Sequence, residues 1–304
     1  MKPIDYIYRF DPDAPSARVV PTDAETARKV LEDGNRMFST WMESRFTRND
    51  GGDAGGNAEQ GTPSFVIRCN GLGGKGSSMP VELPKQRPFA VVVGCSDARV
   101  PTELLFGQGF NDIFVVRVAG NVLGDVCVGS IDFALGALAE SVRVIVMLGH
   151  SGCGAVSGAV DAYLDPQKFW TSSLSPMLRD ILQRVFVSVR EAARGFDEVW
   201  GPDAREMPGY REALIEASVC MNAAFGAYSM QQDVVRSGKK GIDVLFGVHN
   251  VRNHQVCVPV NPNAPRSDDN VRLAPAPTSP AEFDELAVEL ATVLKGVELA
   301  PDVH

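Results

Sequence analysis

Two short segments of the 304-residue chain carry side chains that could do chemistry together. The first follows the apolar run FAVVVG and places Cys95, Asp97 and Arg99 at every second position. The second follows the apolar run VIVMLG and places His150 three residues before Cys153. Two thiolates and one imidazole suit zinc, and three protein ligands leave a fourth position for water or substrate. The sequence therefore predicts a catalytic metal site built from Cys95, His150 and Cys153.

Each half of this pattern also has a plainer interpretation. A buried cysteine at the end of a strand is more often a packing residue than a ligand, and a lone His-x-x-Cys pair is weak evidence for a metal. Both halves, however, follow apolar strands, and one is accompanied by Asp97 and Arg99. Because polar groups with perturbed chemistry cluster at functional sites, we favour the metal site.

Asp97 and Arg99 are two residues apart, so in an extended chain their side chains point to the same side and can pair. A structural salt bridge is one interpretation of the pair. In the other, Arg99 holds Asp97 ionised and oriented, so that Asp97 accepts a proton from metal-bound water or briefly occupies the open metal position. The two interpretations are compatible.

The segments around these motifs alternate between strands and helices. Apolar runs predict strands over 89–94, 112–119, 142–150, 241–251 and 255–260, and helical patterns cover 22–41, 129–141, 210–235 and 281–294. Near-continuous apolar strands separated by helices indicate a mostly parallel sheet that is covered on both faces. We expect an α/β fold with about four parallel strands, an antiparallel edge strand, flanking helices and an N-terminal helical arm. Ligands bind such sheets outside the carboxyl ends of the strands, where the strand order reverses. If the order reverses between the strands that precede the two motifs, the two motifs become neighbours.

Changes in composition divide the chain into four predicted parts. Residues 1–46 form the helical arm, which we expect to pack on another part of the molecule or on a second subunit. Residues 47–84 are rich in glycine and small polar residues and predict an insertion or linker. Residues 85–260 form the zinc-binding α/β catalytic domain, with an insertion at about 161–208. Residues 261–304 are a proline-rich linker and a C-terminal helix.

The bulk properties favour a globular enzyme without nucleic-acid or membrane partners. The formal net charge is -9 and the sequence has no cluster of basic residues, which argues against nucleic-acid binding. The first residues lack the apolar run of a signal peptide, and the other apolar stretches are of strand length. Six cysteines are scattered along a long chain, unlike a disulfide framework. We therefore expect a cytoplasmic protein.

The motifs CSDARVP, FVVRVAGN and GHSGCGA, in this order, strongly resemble those of the β-class carbonic anhydrases. The family pattern is Cys-x-Asp-x-Arg followed by His-x-x-Cys, and this chain fills every position. The resemblance covers residues 22–41 and 85–164 well, and 217–258 more loosely. It implies a Zn²⁺ enzyme that interconverts carbon dioxide and bicarbonate by attack of zinc-bound hydroxide. The zinc ligands implied are Cys95, His150 and Cys153, and the catalytic dyad implied is Asp97 with Arg99.

The resemblance carries three further implications. In some members the aspartate at the position of Asp97 takes the fourth zinc site in a closed, inactive form. The family also has a glutamine near the first strand that hydrogen-bonds the substrate, and Gln86, nine residues before Cys95, matches it. Family resemblance and the isolated N-terminal helix suggest a homodimer or a dimer-based tetramer.

Two other functions stay open at this point. The same fold could hydrolyse a sulfur analogue, carbonyl sulfide or carbon disulfide, as some relatives of the family do. Alternatively, the chain could be a non-catalytic component of an assembly that keeps zinc for structure. Asp97 and Arg99 argue against the second alternative, because a structural zinc site needs neither residue.

Overall fold

The computed structural model describes residues 5–9, 20–46, 64–69, 85–171, 174–258, 267, 270–297 and 299. The strands are β1 Asp5–Arg9, β2 Ser64–Arg68, β3 Ala90–Gly94, β4 Ile113–Arg117, β5 Val144–His150, β6 Asp243–His249, β7 Val256–Cys257 and β8 Ala274–Pro275. The α-helices are α1 Ala24–Phe46, α2 Thr102–Leu105, α3 Asp125–Ala137, α4 Gly154–Leu164, α5 Pro166–Thr171, α6 Pro176–Trp200, α7 Tyr210–Arg236 and α8 Pro280–Leu294. Two short 3-10 helices lie at Ala119–Asn121 and Ala204–Glu206.

The central sheet has the strand order β4-β3-β5-β6-β7, with β8 also paired to β6. Strands β4, β3, β5 and β6 are parallel, whereas β7 and β8 run antiparallel to β6. This confirms the predicted fold class, with a second short antiparallel strand in addition. The chain passes from β3 outward to β4 and then returns to place β5 on the other side of β3. The carboxyl ends of β3 and β5 therefore lie side by side, at the point where the strand order reverses.

Helices cover both faces of this sheet, which explains why its strands are apolar without alternation. Along β3, Val91 and Val93 enter one core, which is filled mainly by residues of α3, α4, α6, α7 and α8. Ala90 and Val92 enter the other core, beneath α1 and the segment around α2. Successive strand residues point to opposite faces, so one strand serves both layers.

The N-terminal helix packs on its own chain. Helix α1 buries Ala27, Leu31 and Phe38 against the sheet face that Ala90 and Val92 line. Asp23 caps the helix, since its Oδ1 accepts a hydrogen bond of 2.7 Å from the backbone N–H of Thr26. The helix runs from Ala24 to Phe46, five residues beyond the end of the predicted helix at 41.

Other boundaries also differ from the sequence-based expectations. Helix α3 begins at Asp125, four residues before the predicted start at 129. The predicted insertion at 161–208 consists mainly of α6, which packs against α8 so closely that a Cβ on Gly195 would lie 2.4 Å from the carbonyl oxygen of Ala287.

Within 47–84, the described residues form β2, which pairs in parallel with β1, and the remainder lies outside the described ranges. None of the described helices is both long and apolar enough to span a membrane.

Candidate metal centre

Three buried side chains converge where β3 and β5 end. Cys95 directly follows β3, His150 is the last residue of β5, and Cys153 immediately precedes α4. One possible ligand atom from each residue lies within 4.8 Å of those from the other two. The two Sγ atoms are 4.0 Å apart. The structure thus brings together the three residues that the sequence singles out, and this cluster fits a zinc site.

The ring of His150 is oriented so that one nitrogen is left for a metal. Its Nδ1 lies 3.1 Å from the carbonyl oxygen of Ser151, to which it can donate a hydrogen bond. Its Nε2 is buried and has no hydrogen-bond partner among the described residues. A metal-binding histidine usually donates its other N–H to an oxygen in this way, which fixes the tautomer. The unpartnered Nε2 therefore agrees with a role as a metal ligand.

The two thiols perturb each other strongly. The hydrogen bond with the Cys153 thiol is the main cause that lowers the pKa of Cys95, and His150 lowers it further. The same contact with Cys95 raises the pKa of Cys153, and burial adds to the effect. One thiolate next to one thiol is thus the arrangement that these two groups favour by themselves. A divalent cation between them favours the thiolate form of both.

Asp97 is held by Arg99 beside the cluster. Arg99 donates from Nε to Oδ1 at 3.0 Å and from Nη2 to Oδ2 at 2.7 Å, and its backbone N–H donates to Oδ1 at 2.8 Å. These bonds from Arg99 hold the pKa of the Asp97 carboxyl well below its usual range. Oδ2 of Asp97 lies 3.8 Å from Nε2 of His150. Asp97 is therefore an ionised group next to the cluster and is not one of its three members.

Arg117 supports the chain that carries Cys95 and Asp97. Its Nε donates to the carbonyl oxygen of Cys95 at 3.0 Å, and its Nη2 donates to that of Asp97 at 2.5 Å. Arg117 ends β4 and lies opposite Gly94 in the parallel register. Arg117 is not among the residues that the sequence predicts for the metal site. The signal that could have indicated such a role is its position: Arg117 is a charged residue at the carboxyl end of an apolar strand, beside the motif on the neighbouring strand.

Two polar residues of α7 also contact turns next to the cluster. Oε1 of Glu216 accepts a hydrogen bond of 2.9 Å from the backbone N–H of Gly152. Asn222 donates from Nδ2 to the carbonyl oxygen of Gly120 at 2.9 Å. Sequence reasoning missed both residues, because it identified α7 only as a long helix. Their signal is polarity within an otherwise apolar stretch of that helix.

Gln86 is not brought to the cluster of its own chain. It is exposed and lies before β3, at the amino end of the strand whose carboxyl end carries Cys95. The five residues of β3 separate the two ends by about 16 Å. The role of Gln86 in substrate binding stays a prediction.

His249 adjoins the cluster without being a member of it. It pairs with His150 in the register of β5 and β6. Burial lowers the pKa of His249 to about 3, so the ring is neutral. Neither ring nitrogen has a hydrogen-bond partner in the described part of the chain. The three-residue cluster does not include His249.

Comparison with known proteins finds similarity to carbonic anhydrases, which the motifs also resemble. Residues 90–222 match the family model described as carbonic anhydrase. A carbonic anhydrase of Mycolicibacterium smegmatis is 47% identical over 104 residues, which are 34% of this chain and 47% of that protein. Carbonic anhydrase 2 of Mycobacterium tuberculosis is 43% identical over a segment that covers the same shares of the two chains. The chain thus matches about half the length of these relatives. Over this segment the resemblance to carbonic anhydrases is confirmed.

Among solved structures, the β-carbonic anhydrase CafA of the fungus Aspergillus fumigatus is similar over 67% of this chain and 83% of its own, with 20% identity and a TM-score of 0.45. Coccomyxa β-carbonic anhydrase is similar over 58% of this chain and 73% of its own, with 18% identity and a TM-score of 0.43.

Proposed function

We propose that the chain catalyses the reversible hydration of carbon dioxide to bicarbonate and a proton, with Zn²⁺ held by Cys95, His150 and Cys153. One observation carries the proposal: three buried zinc-type ligands meet directly beside a carboxylate that an arginine holds ionised. A structural zinc site needs four protein ligands and no such carboxylate. Three ligands with an adjacent Asp97 instead suit a site that leaves room for water.

Held by Cys95, His150 and Cys153, Zn²⁺ would act as a Lewis acid and lower the pKa of a coordinated water towards neutrality. Two thiolate ligands cancel the charge of Zn²⁺, which makes it a weaker Lewis acid than one held by neutral ligands alone. Help from the protein in orienting the reacting water therefore matters more at this site. Asp97 is placed to give that help, because its Oδ2 lies 3.8 Å from Nε2 of His150.

Arg99 and Asp97 have different roles next to the fourth, open metal position: Arg99 orients Asp97, and Asp97 contacts the reacting water. Both carboxylate oxygens of Asp97 accept hydrogen bonds from Arg99, so the carboxylate is ionised and fixed in orientation. In this state Asp97 accepts a hydrogen bond or a proton from the reacting water. A closed, inactive form with Asp97 as a fourth ligand requires the side chain to leave Arg99. We propose that the contacts described here belong to the open form.

Two alternatives share the site but are less well supported. Hydrolysis of carbonyl sulfide or carbon disulfide would use the same metal and the same Asp97. The relatives named above are carbonic anhydrases, which favours carbon dioxide. A non-catalytic assembly component would not need Asp97 and Arg99, which are paired beside the cluster.

We further propose that residues 85–260 form the catalytic domain and that the active form is a homodimer or a dimer-based tetramer. The family match over 90–222 lies inside this range. Because Gln86 lies at the amino end of β3, it would serve the site of a neighbouring subunit. Six unpaired cysteines, two of them in the cluster, suit a reducing compartment such as the cytoplasm.

The decisive experiment measures zinc content and stopped-flow hydration of carbon dioxide for the wild type and for Asp97→Ala. We expect one zinc per chain in both proteins, and rapid hydration by the wild type alone. Hydrolysis of carbonyl sulfide, assayed in parallel, separates the two substrates. A zinc-loaded wild type that does not hydrate carbon dioxide would contradict the proposal.

A further inference from the structure

Helix α7 carries buried polar side chains where packing alone would favour apolar ones. All residues from 213 to 224 are buried, and Glu216, Ser218 and Asn222 are among them. Burying a carboxyl or an amide costs free energy unless the group finds hydrogen-bond partners. Two of these three side chains find backbone partners next to the cluster: Glu216 in the turn between His150 and Cys153, and Asn222 in a turn that hydrogen-bonds Cys95.

Glu216 holds the turn between two of the cluster residues. Its Oε1 accepts the backbone N–H of Gly152 at 2.9 Å, and Gly152 stands between His150 and Cys153. Gly152 has a φ of +57°, in the left-handed region that favours glycine. Its carbonyl oxygen accepts Nη2 of Arg99 at 3.0 Å. The peptide groups of Gly152 are therefore held by two side chains. Glu216 accepts its N–H, and Arg99, which also orients Asp97, donates to its carbonyl oxygen.

Asn222 holds the second turn in the same way. Its Nδ2 donates to the carbonyl oxygen of Gly120 at 2.9 Å, and the N–H of Gly120 donates to Sγ of Cys95 at 3.3 Å. Gly120 has a φ of +66°, and a Cβ there would lie 3.0 Å from Cβ of Ala155. The turn is thus tightly fitted, and the amide of Asn222 fixes the peptide that reaches the thiol.

We propose that Glu216 and Asn222 are positioning residues of the metal centre, with α7 as the rigid element that sets the spacing of its ligands. Glu216 fixes the turn of His150 and Cys153, and Asn222 fixes the turn that hydrogen-bonds Cys95. Outer hydrogen bonds of this kind orient metal ligands before the metal binds. The inference rests on the proposed zinc site, but it does not require that the bound metal hydrates carbon dioxide.

The test compares Glu216→Met with Glu216→Gln. Both substitutions remove the carboxyl group and keep a side chain of similar length, but only glutamine keeps an oxygen that can accept the N–H of Gly152. Ser218→Ala is the matched control, because Ser218 is buried on the same helix and its Oγ has no hydrogen-bond partner among the described residues. Zinc release into a chelator is measured for these three variants, for Asn222→Ala and for the wild type.

We expect Glu216→Met to release zinc about 10–100-fold faster than the wild type, which is the size of the loss in metal affinity that follows removal of an outer-shell hydrogen bond. Glu216→Gln should stay within about threefold of the wild type, and so should Ser218→Ala. Asn222→Ala should accelerate release as well. The absorption bands of the Co²⁺-substituted protein should change shape in Glu216→Met and keep their shape in Ser218→Ala.

Equal zinc release by Glu216→Met and Glu216→Gln, with unchanged Co²⁺ bands in both, would overturn the inference. Thermal unfolding of the metal-free variants identifies any general loss of stability, which would speed zinc release without altering the Co²⁺ bands of the folded protein. Failure of the proposed function is seen separately, as a zinc-loaded wild type without hydration activity. In that case the zinc-release comparison still decides the role of Glu216.

Discussion

The two strand ends that form the site differ in burial and in what holds them. The end of β5 is closed: His150 and Cys153 are at most 2% exposed, and Glu216 supports the turn between them from within the core. The end of β3 is open: Cys95 is buried, but the side chain of Asp97 is 16% exposed and that of Arg99 is 45% exposed. Hydrogen bonds from Arg117 and Arg99 hold this end.

This difference matches two different tasks. Metal ligands must stay in place and dry, because burial protects thiolates and keeps the ligand geometry fixed. Groups that exchange protons with water must reach solvent and yet keep one orientation. The end of β5, together with buried Cys95, suits the first task, and Asp97 with Arg99, beyond Cys95 at the end of β3, suits the second. Substitutions at the two ends should therefore separate metal retention from activity.

The largest effect, on zinc affinity, is expected from removing a ligand at the closed end of β5. Cys153→Ala removes one of three buried ligands, so zinc affinity should fall by at least about 100-fold, given that losing an outer partner alone costs 10–100-fold. Hydration activity should be lost with the metal. Cys127→Ala is the control, because Cys127 is a buried thiol of α3 outside the cluster. Metal analysis after dialysis checks the prediction, and full zinc occupancy in Cys153→Ala would contradict it.

At the open end, Asp97→Asn should lower kcat/KM by about 10²–10⁴-fold, the usual contribution of a positioned proton acceptor. The amide has the size of the carboxyl but cannot take a proton. Because Asp97 is outside the three-residue cluster, zinc content should stay at the level of the wild type. Stopped-flow kinetics and metal analysis of the same sample make the test. Loss of zinc together with activity would show that the two ends are not separable.

A smaller effect on stability and activity is expected from replacing Arg117, which supports the open end of β3. Arg117→Ala leaves the carbonyl oxygens of Cys95 and Asp97 without their donor, so the free energy of unfolding should fall by about 2 kcal/mol. Activity should also fall, by about tenfold, because Asp97 loses its fixed position.

Arg143→Ala is the matched control for Arg117→Ala. The guanidinium of Arg143 also donates to backbone carbonyl oxygens, those of Thr22, Glu140 and Val142, but at the amino end of β5. It should lose similar stability and keep its activity per zinc. Denaturant unfolding and kinetics give both quantities. An equal loss of activity in the two variants would remove the special role of Arg117.

The smallest effect is expected at the opposite end of β3. If Gln86 hydrogen-bonds the substrate of a neighbouring subunit, Gln86→Ala should lower kcat/KM by about fivefold, the equivalent of about 1 kcal/mol. Stability and zinc content should not change, because the side chain is exposed. Arg87→Ala, at the next exposed position, is the control. Unchanged kcat/KM in Gln86→Ala would refute the substrate-binding role.

Much of the site could be predicted because its residues are chemically unusual where they stand. Cys95 directly follows one apolar strand, and His150 ends another, three residues before Cys153. The order of the strands in the α/β sheet then brings these strand ends together. The residues that hold these ligands gave weaker signals. Glu216 and Asn222 lie more than sixty residues beyond Cys153, and their partners are backbone atoms of distant turns. Sequence spacing does not show which backbone group a side chain will reach.

The sequence by itself determined the types of residue at the metal centre, the parallel character of the sheet and the pairing of Asp97 with Arg99. These depend on local patterns: apolar runs with a period set by the strand, and two residues at extended spacing. Only the tertiary structure decided that α1 packs on its own sheet, that α7 supports the turn of His150 and Cys153 and the turn that hydrogen-bonds Cys95, and that Gln86 lies at the far end of β3. The physical reason is that each of these depends on how separate elements pack, and packing places residues far apart in sequence within a few ångströms of each other.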